Sequence, residues 1–467
     1  MMRKRKGYPV YPLTAAQKFH FFYLDACPNK AVVNIGTSLT IEVDLEFDLL
    51  RKSILKAYER SEAMRLQFAK DKDGVWYQYV VDEVKQEIPF VDFSDQTMEE
   101  AEQTMRKWTS VPFEHEDSPM SRMVMIRMPD GFCGVYLLAD HLIMDAQSMI
   151  CFLKDIIELY SSEMYDEIPY PKEMSSYLEQ LQKDLAYEAG SKAKEKDEAF
   201  FKNLIESSEP IYNGIDGTAK LEMERDRQKN PKLRAAVNVS DSVESDLDIF
   251  HLEGEPTKRL MDFCSANHIS LTCLLLMGLR TYFQKLNGND DVSINSAIAR
   301  RATLKEKKCG GTRIHSFPFR TVIPKETKFI DALFEIRDKQ NELFRHANYD
   351  PVAYFAYRSS VYKNPRGCTY EPMSLTYQPM TLKEKGLDQL GDIRYKTKWY
   401  PNGATTQGMY LTVMHRPEDN GLDFNFEHQI KAVSRKQLEY LYYYLCKIMF
   451  KGIENPNLSV GDILKLV

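Results

Sequence analysis

Several signatures that would announce a chemistry are absent from this chain. Its eight cysteines include no CxxC pair, which speaks against a zinc site, a redox pair or a disulfide framework. Several sit inside apolar helical runs and read as reduced core thiols of a cytoplasmic protein. The nine histidines form no HExxH and no cluster with ligand spacing, so no bound metal is expected. The chain has no Walker loop and no GxGxxG, which gives nucleotide and redox cofactors no support. With 62 basic against 68 acidic residues, a net charge of −6, there is no basic field for nucleic acid. The longest apolar stretch, Leu271 to Leu279, is interrupted by Arg280 too soon to span a bilayer. The short basic run from Met2 to Lys6 has no apolar segment behind it, so no secretory leader is expected.

What is present is the composition of a folded globular protein. The 467 residues are 43% hydrophobic and 12% aromatic, enough for one or two sizeable cores. Phe47, Leu50, Ile54, Ala57 and Tyr58 recur at helical spacing, and a polar helix begins near Thr97. Met123–Met128 and Phe132–Ala139 read as a hairpin around Pro129-Asp130-Gly131. Helices are expected at Pro256–Asn267, Leu271–Leu286, Ile330–His346 and, capped by Ser434, up to Lys451. Strands are expected at Val292–Ala299, Ile314–Ile323 and Met373–Tyr377, with a hairpin across Tyr410–Phe426. This mixture predicts an α+β fold with mostly hairpin-linked strands in two similar lobes. The boundary is placed between residues 175 and 176, and a polar, exposed excursion is expected over about 207–246.

The most informative segment is DHLIMDA, Asp140 to Ala146. The period changes here from strand to helix, since Met149, Phe152, Leu153, Ile156, Ile157 and Tyr160 recur at helical spacing. His141 therefore lies on a strand-to-helix loop, where scaffolds commonly carry reactive groups. His141 and Asp145 form an HxxxD pair, which suits a base held by its backbone and a carboxylate used for shape. A structural histidine at a strand end stays open as the other reading. Asp140 could tune His141, cap the following turn or simply pack, and Ser148, in the first helical turn, suits local backbone bonding.

The motifs resemble those of a known family. YPLTAAQKFHFFYL is similar to an opening LTxAQ signature at Leu13, Thr14, Ala16 and Gln17. RSEAMRLQF is similar to RHExLRTxF through Arg60, Glu62, Arg65 and Phe68, and DHLIMDA stands where HHxxxDG is found. AIARR, GTRIHSFPFR and the closing GLDFNFEHQI and NPNLSVGDI follow in the family's order. From about Tyr11 to Leu464 the chain resembles the condensation domains of nonribosomal peptide synthetases, within the chloramphenicol-acetyltransferase-like acyltransferase superfamily.

That resemblance implies two acetyltransferase-like lobes in a V, with a tunnel between them. It implies an acyl or aminoacyl donor on the phosphopantetheine of a carrier protein, an amine acceptor, and an adenylating enzyme as a further neighbour. His141 would face the tunnel, and Asp145 would pair with an arginine: Arg300 first, with Arg65 and Arg301 as rivals. Ser148 and His315 are candidates for the tunnel wall. No bound cofactor and no membrane are expected, and a cytoplasmic monomer is. The chain departs from the pattern at Asp140, Ala146 and His315. These departures leave open a degenerate domain that binds carriers without catalysis. A coenzyme A-dependent or ester-forming acyltransferase also stays open. So does heterocyclisation, whose DxxxxDxxS spacing is met by Asp140, Asp145 and Ser148 although its other signatures are missing. A free-standing enzyme is the leading expectation, and a domain cut from a larger synthetase stays open beside it.

Overall fold

A computed structural model describes residues 4–83, 85–379 and 393–467. Met2 and Arg3 of the basic run lie outside them. The chain divides into two compact units: Met1–Lys192, Ala299–Ile314 and Met380–Ala404 in the first, and Ala193–Ile298, His315–Pro379 and Thr405–Val467 in the second. Both units are discontinuous in sequence, where a single boundary after residue 175 is what the composition suggests.

The first unit is built on a five-stranded sheet. Its order is Tyr395–Tyr400, Asn34–Ile41, Cys133–Asp140, Ser121–Arg127, Phe90–Asp92. The pairs are antiparallel except the last, where Phe90–Asp92 runs parallel to Ser121–Arg127. Every residue of Cys133–Asp140 is buried, as expected of a central strand covered on both faces. Helices Phe47–Arg60 and Ala146–Met164 pack together through an edge-on contact between Tyr58 and Phe152. The polar helix is Met98–Thr109, and Thr97 and Glu100 close a capping box at its start.

The second unit is built on a six-stranded sheet in the order Ser245–Leu252, Leu422–Gln429, Met409–His415, Ser374–Gln378, Asp291–Ile298, His315–Val322. Helix Leu271–Asn287 is almost wholly buried and packs against Phe329–Arg345 and Arg435–Glu454. The hairpin Met409–His415/Leu422–Gln429 forms as expected. Ser374–Gln378, however, runs parallel to both of its neighbours, so hairpins do not link this sheet throughout. The polar stretch over 207–246 is not all excursion either. It contains the helix Ala219–Gln228, and Tyr212, Leu221 and Ala236 form a small buried cluster. Among the described residues no single helix is long and apolar enough to cross a membrane. Gly254–Ala266 and Leu271–Asn287 pass that test only together, across a bend of 107°.

Candidate active site

The strand Cys133–Asp140 ends at Asp140, residues 141–144 turn, and Asp145 is the N-cap of helix Ala146–Met164. Asp140 is fully buried. One of its oxygens accepts from the Leu142 backbone N–H at 2.8 Å, and the other lies 2.9 Å from His115 Nε2. Of the roles open to Asp140, turn capping is therefore occupied, and His115 is its unforeseen partner.

Asp145 is 3% exposed, and its carboxylate is surrounded by donors. The Ser148 N–H donates to Oδ1 at 2.9 Å and the Arg313 N–H donates to Oδ2 at 2.9 Å. Arg301 Nη2 lies 2.9 and 3.0 Å from the two oxygens. Burial by itself would push this carboxyl up. The Arg301 charge and the donated hydrogen bonds outweigh it and hold the pKa below the usual carboxylate value. Arg301 Nη1 in turn donates to the Glu306 and Cys309 carbonyls, both at 2.7 Å. The Ser148 hydroxyl is 2.6 Å from the Gly311 carbonyl and 2.8 Å from Asp145 Oδ1. Ser148 is thus spent inside the framework and does not serve as a free wall group.

Arg300 is not the partner of Asp145. It has a left-handed φ of 53° directly after the strand Asp291–Ile298. It and Arg301 consequently diverge: Arg301 turns to Asp145, while Arg300 Nη2 lies 3.6 Å from Asp184. Arg313 shares that carboxylate at 3.0 Å. Burial lowers the Arg300 pKa to about 10, with Asp184 opposing the shift. Arg65 serves elsewhere, donating to the Val81 carbonyl at 2.6 Å. His315 belongs to the second unit, where it is fully buried with Nδ1 2.9 Å from the Ala347 carbonyl. It acts there as a packed, hydrogen-bonded histidine.

His141 is held from several sides. Its backbone N–H donates to the Val33 carbonyl at 2.8 Å. Ring atom Nδ1 is buried and makes no hydrogen bond among the described residues. The residue is nonetheless part-exposed, which leaves Nε2 as the nitrogen able to meet a substrate. One face of the ring stacks on His20 at 4.0 Å between centroids and 19° between planes. Burial is the largest influence on His141 and lowers its pKa; Asp145 and Asp140 oppose it without cancelling it. The imidazole is therefore neutral at pH 7. The turn is braced from below by Gln17, whose Nε2 lies 2.8 Å from Gln78 Oε1 and 3.4 Å from the Leu142 carbonyl. Tyr177 also donates to Gln78, at 2.7 Å.

A neutral, partly accessible imidazole on a fixed loop, beside a carboxylate fully committed to an arginine, can accept and return one proton. The nearby Ser148 hydroxyl is already bonded to Asp145 and Gly311 and is not a free nucleophile. Sequence reasoning missed His20 and His115. His20 carries one faint signal, sitting at i+3 from Gln17 on the same helical face; His115 carries none.

Gly311 closes the framework with its carbonyl, at a φ of +94°, and a Cβ there would meet the Tyr177 ring at 2.5 Å. Gly311→Ala is expected to destabilise the protein by roughly 1–3 kcal/mol through both effects. A thermal melt unchanged from the parent would contradict this.

The two sheets and this loop define an α+β scaffold with an HxxxD turn at the end of a central strand, and comparison with known proteins places it. The condensation domain model matches residues 9–466, and the chain belongs to that family. It is similar to bacitracin synthase 3 of Bacillus licheniformis, with 22% identity over 97% of this chain and 7% of that protein. Surfactin synthase subunit 1 of Bacillus subtilis (strain 168) is 21% identical, over 97% of this chain and 12% of its own length. The chain therefore spans less than a fifth of the length of the curated relatives it matches. Among solved structures, the first condensation domain of the calcium-dependent antibiotic synthetase superposes with a TM-score of 0.79 at 17% identity, covering 97% of this chain and 98% of that one. A starter condensation domain of rhizomide synthetase gives a TM-score of 0.81 at 16% identity, covering 97% and 96%. The family read from the motifs is thus confirmed, as is the α+β fold.

Proposed function

We propose that this chain is an acyltransferase that forms an amide bond between an acyl or aminoacyl thioester, carried on the phosphopantetheine of a carrier protein, and an amine acceptor. The observation that carries the reading is His141: a neutral imidazole on a part-exposed residue, its loop clamped through Asp145 to Arg301. The amine nitrogen attacks the thioester carbonyl carbon, and His141 Nε2 takes the proton that the nitrogen sheds. The tetrahedral intermediate then collapses, the carbon–sulfur bond breaks, and the proton passes from Nε2 to the departing sulfur. Holding donor and acceptor together supplies much of the rate by orientation. In this reading donor and acceptor meet in the substrate tunnel that the family resemblance implies, and the chain works as a cytoplasmic monomer beside carrier and adenylating domains. The relatives' names, those of synthases much longer than the matched part, support that setting.

Two observations weigh against heterocyclisation. Asp145 and Ser148 are consumed by Arg301, Arg313 and Gly311, and Asp140 by Leu142 and His115, so none of the three offers a free carboxylate or hydroxyl. A coenzyme A thioester as donor is the second reading. It is favoured by the name of one structural relative, a starter condensation domain in complex with C8-CoA.

Donor choice tests the proposal. Product is expected from an acyl group loaded on a carrier protein and not from the same acyl group on coenzyme A alone. Efficient turnover of the free coenzyme thioester would overturn the carrier requirement. Because burial lowers the His141 pKa, kcat should hold down to about pH 6.5 and fall below it. An acidic limb centred above about pH 7 would contradict a depressed base.

A further inference from the structure

The chemistry above leaves the histidine stacked on His141 without a task. His20 lies on the helix Ala15–Ala26 and is 7% exposed. Its Nε2 is buried and has no hydrogen-bond partner among the described residues. No polar contact at Nε2 explains the ring's place, and an unpaired buried nitrogen costs free energy that an apolar side chain of similar volume would avoid. What the ring does have is its face, parallel to His141 at 4.0 Å. The helix that carries it is firmly set. Thr14 and Gln17 close a capping box at its start, and the Gln17 and Gln78 amides exchange two hydrogen bonds of 2.8 Å.

We propose that His20 is a positioning residue for His141: its ring, mounted on a fixed helix, clamps the imidazole face to face, so that Nε2 of His141 keeps one direction. This rests on the reading of His141 as the proton acceptor and deepens it.

The charged groups around the stack are already committed. Asp140 at the strand end is tied to His115, and Asp145 at the helix start is tied to Arg301. Neither carboxylate bonds to His20. Burial first, and then the charge on His141, hold His20 well below the ordinary histidine range. A proton entering the pair therefore goes to His141, whose pKa is raised by Asp145 and Asp140 against its own burial. A second proton would set two like charges within 4.0 Å in a shielded site.

The experiment is an NMR titration of the full chain carrying ring-labelled histidine, in the parent, His20→Phe and His20→Ala, with His141→Gln to assign the His141 signal. The same proteins are assayed for kcat, KM and thermal melting with a carrier-bound donor. His20→Phe is expected to keep the ring-current shift of His141 and a kcat close to the parent's. His20→Ala is expected to lose that shift, to move the His141 titration up towards about 6.5 as water enters the vacated volume, and to lower kcat about 10- to 100-fold at unchanged KM. Should the alanine variant melt early, His20→Leu replaces it, filling the volume without an aromatic face. An unaltered His141 signal and titration in the alanine or leucine variant would overturn the clamp. So would a folded His20→Phe as slow as His20→Ala. If the parent itself turns nothing over, the functional reading fails, while the titration still decides whether the rings are stacked and coupled.

Discussion

Alanine in place of His141 is expected to lower kcat by about 100- to 10,000-fold, with KM and the melting temperature close to the parent's. The size follows from the loss of the one accessible proton acceptor on the loop. The absence of a stability effect follows from its bonds. The backbone N–H to Val33 survives the substitution, and Nδ1 makes no regular hydrogen bond that could be lost. His141→Gln should be as slow, because an amide of similar reach cannot take a proton at neutral pH. A variant that keeps full turnover with the true donor and acceptor would show that positioning alone does the work and that His141 is a structural histidine.

The opposite pattern is expected at the ion pair. Arg301→Met leaves the Asp145 carboxylate buried without its charge partner, and such a loss costs about 3–5 kcal/mol. In a protein of this size that corresponds to a melting temperature lower by roughly 3–5 °C. Asp145→Asn should also destabilise, and the double variant should cost less than the sum of the two, since both partners are then removed together. The pair has a pH signature as well. The folded-state pKa of Asp145 is held below its unfolded value. Its contribution is thus present above about pH 3.9 and disappears as pH falls through the lower, folded-state pKa. Stability of the parent should drop over that acidic window more steeply than that of Asp145→Asn. An asparagine variant that expresses, melts and unfolds in acid like the parent would remove the structural role of the pair.

The parts of this architecture that could be read in advance are those with a clean period. Cys133–Asp140 and Ala146–Met164 differ so plainly in hydrophobic spacing that the loop carrying His141 is located by the change itself. The strand Asn34–Ile41 carries no such signal, because Thr37, Ser38 and Thr40 are buried among its apolar residues. Two of these hydroxyls are satisfied from far along the chain, Thr37 by the Lys398 carbonyl at 3.0 Å and Ser38 by the Tyr400 hydroxyl at 2.9 Å. Only the folded sheet makes that strand intelligible. The choice between Arg300 and Arg301 is equally out of the sequence's reach. A single left-handed residue decides which of two adjacent buried guanidinium groups reaches Asp145 and which reaches Asp184, and nothing in the string RR marks it. His20 and His115 lie over a hundred and about 25 positions from the motif they serve, so their roles depend on tertiary contacts alone.

The most direct measurement is a single-turnover reaction followed by intact-protein mass spectrometry. A donor-loaded carrier protein is mixed with an amine acceptor and either the parent or His141→Gln, and the carrier and the small-molecule product are weighed over time. With the parent, the acyl mass should leave the carrier and reappear as an amide, with no acylated form of this chain at any time; with His141→Gln, the carrier should stay loaded. Equal unloading by both proteins, or an acyl group covalently attached to the parent, would contradict direct transfer assisted by His141.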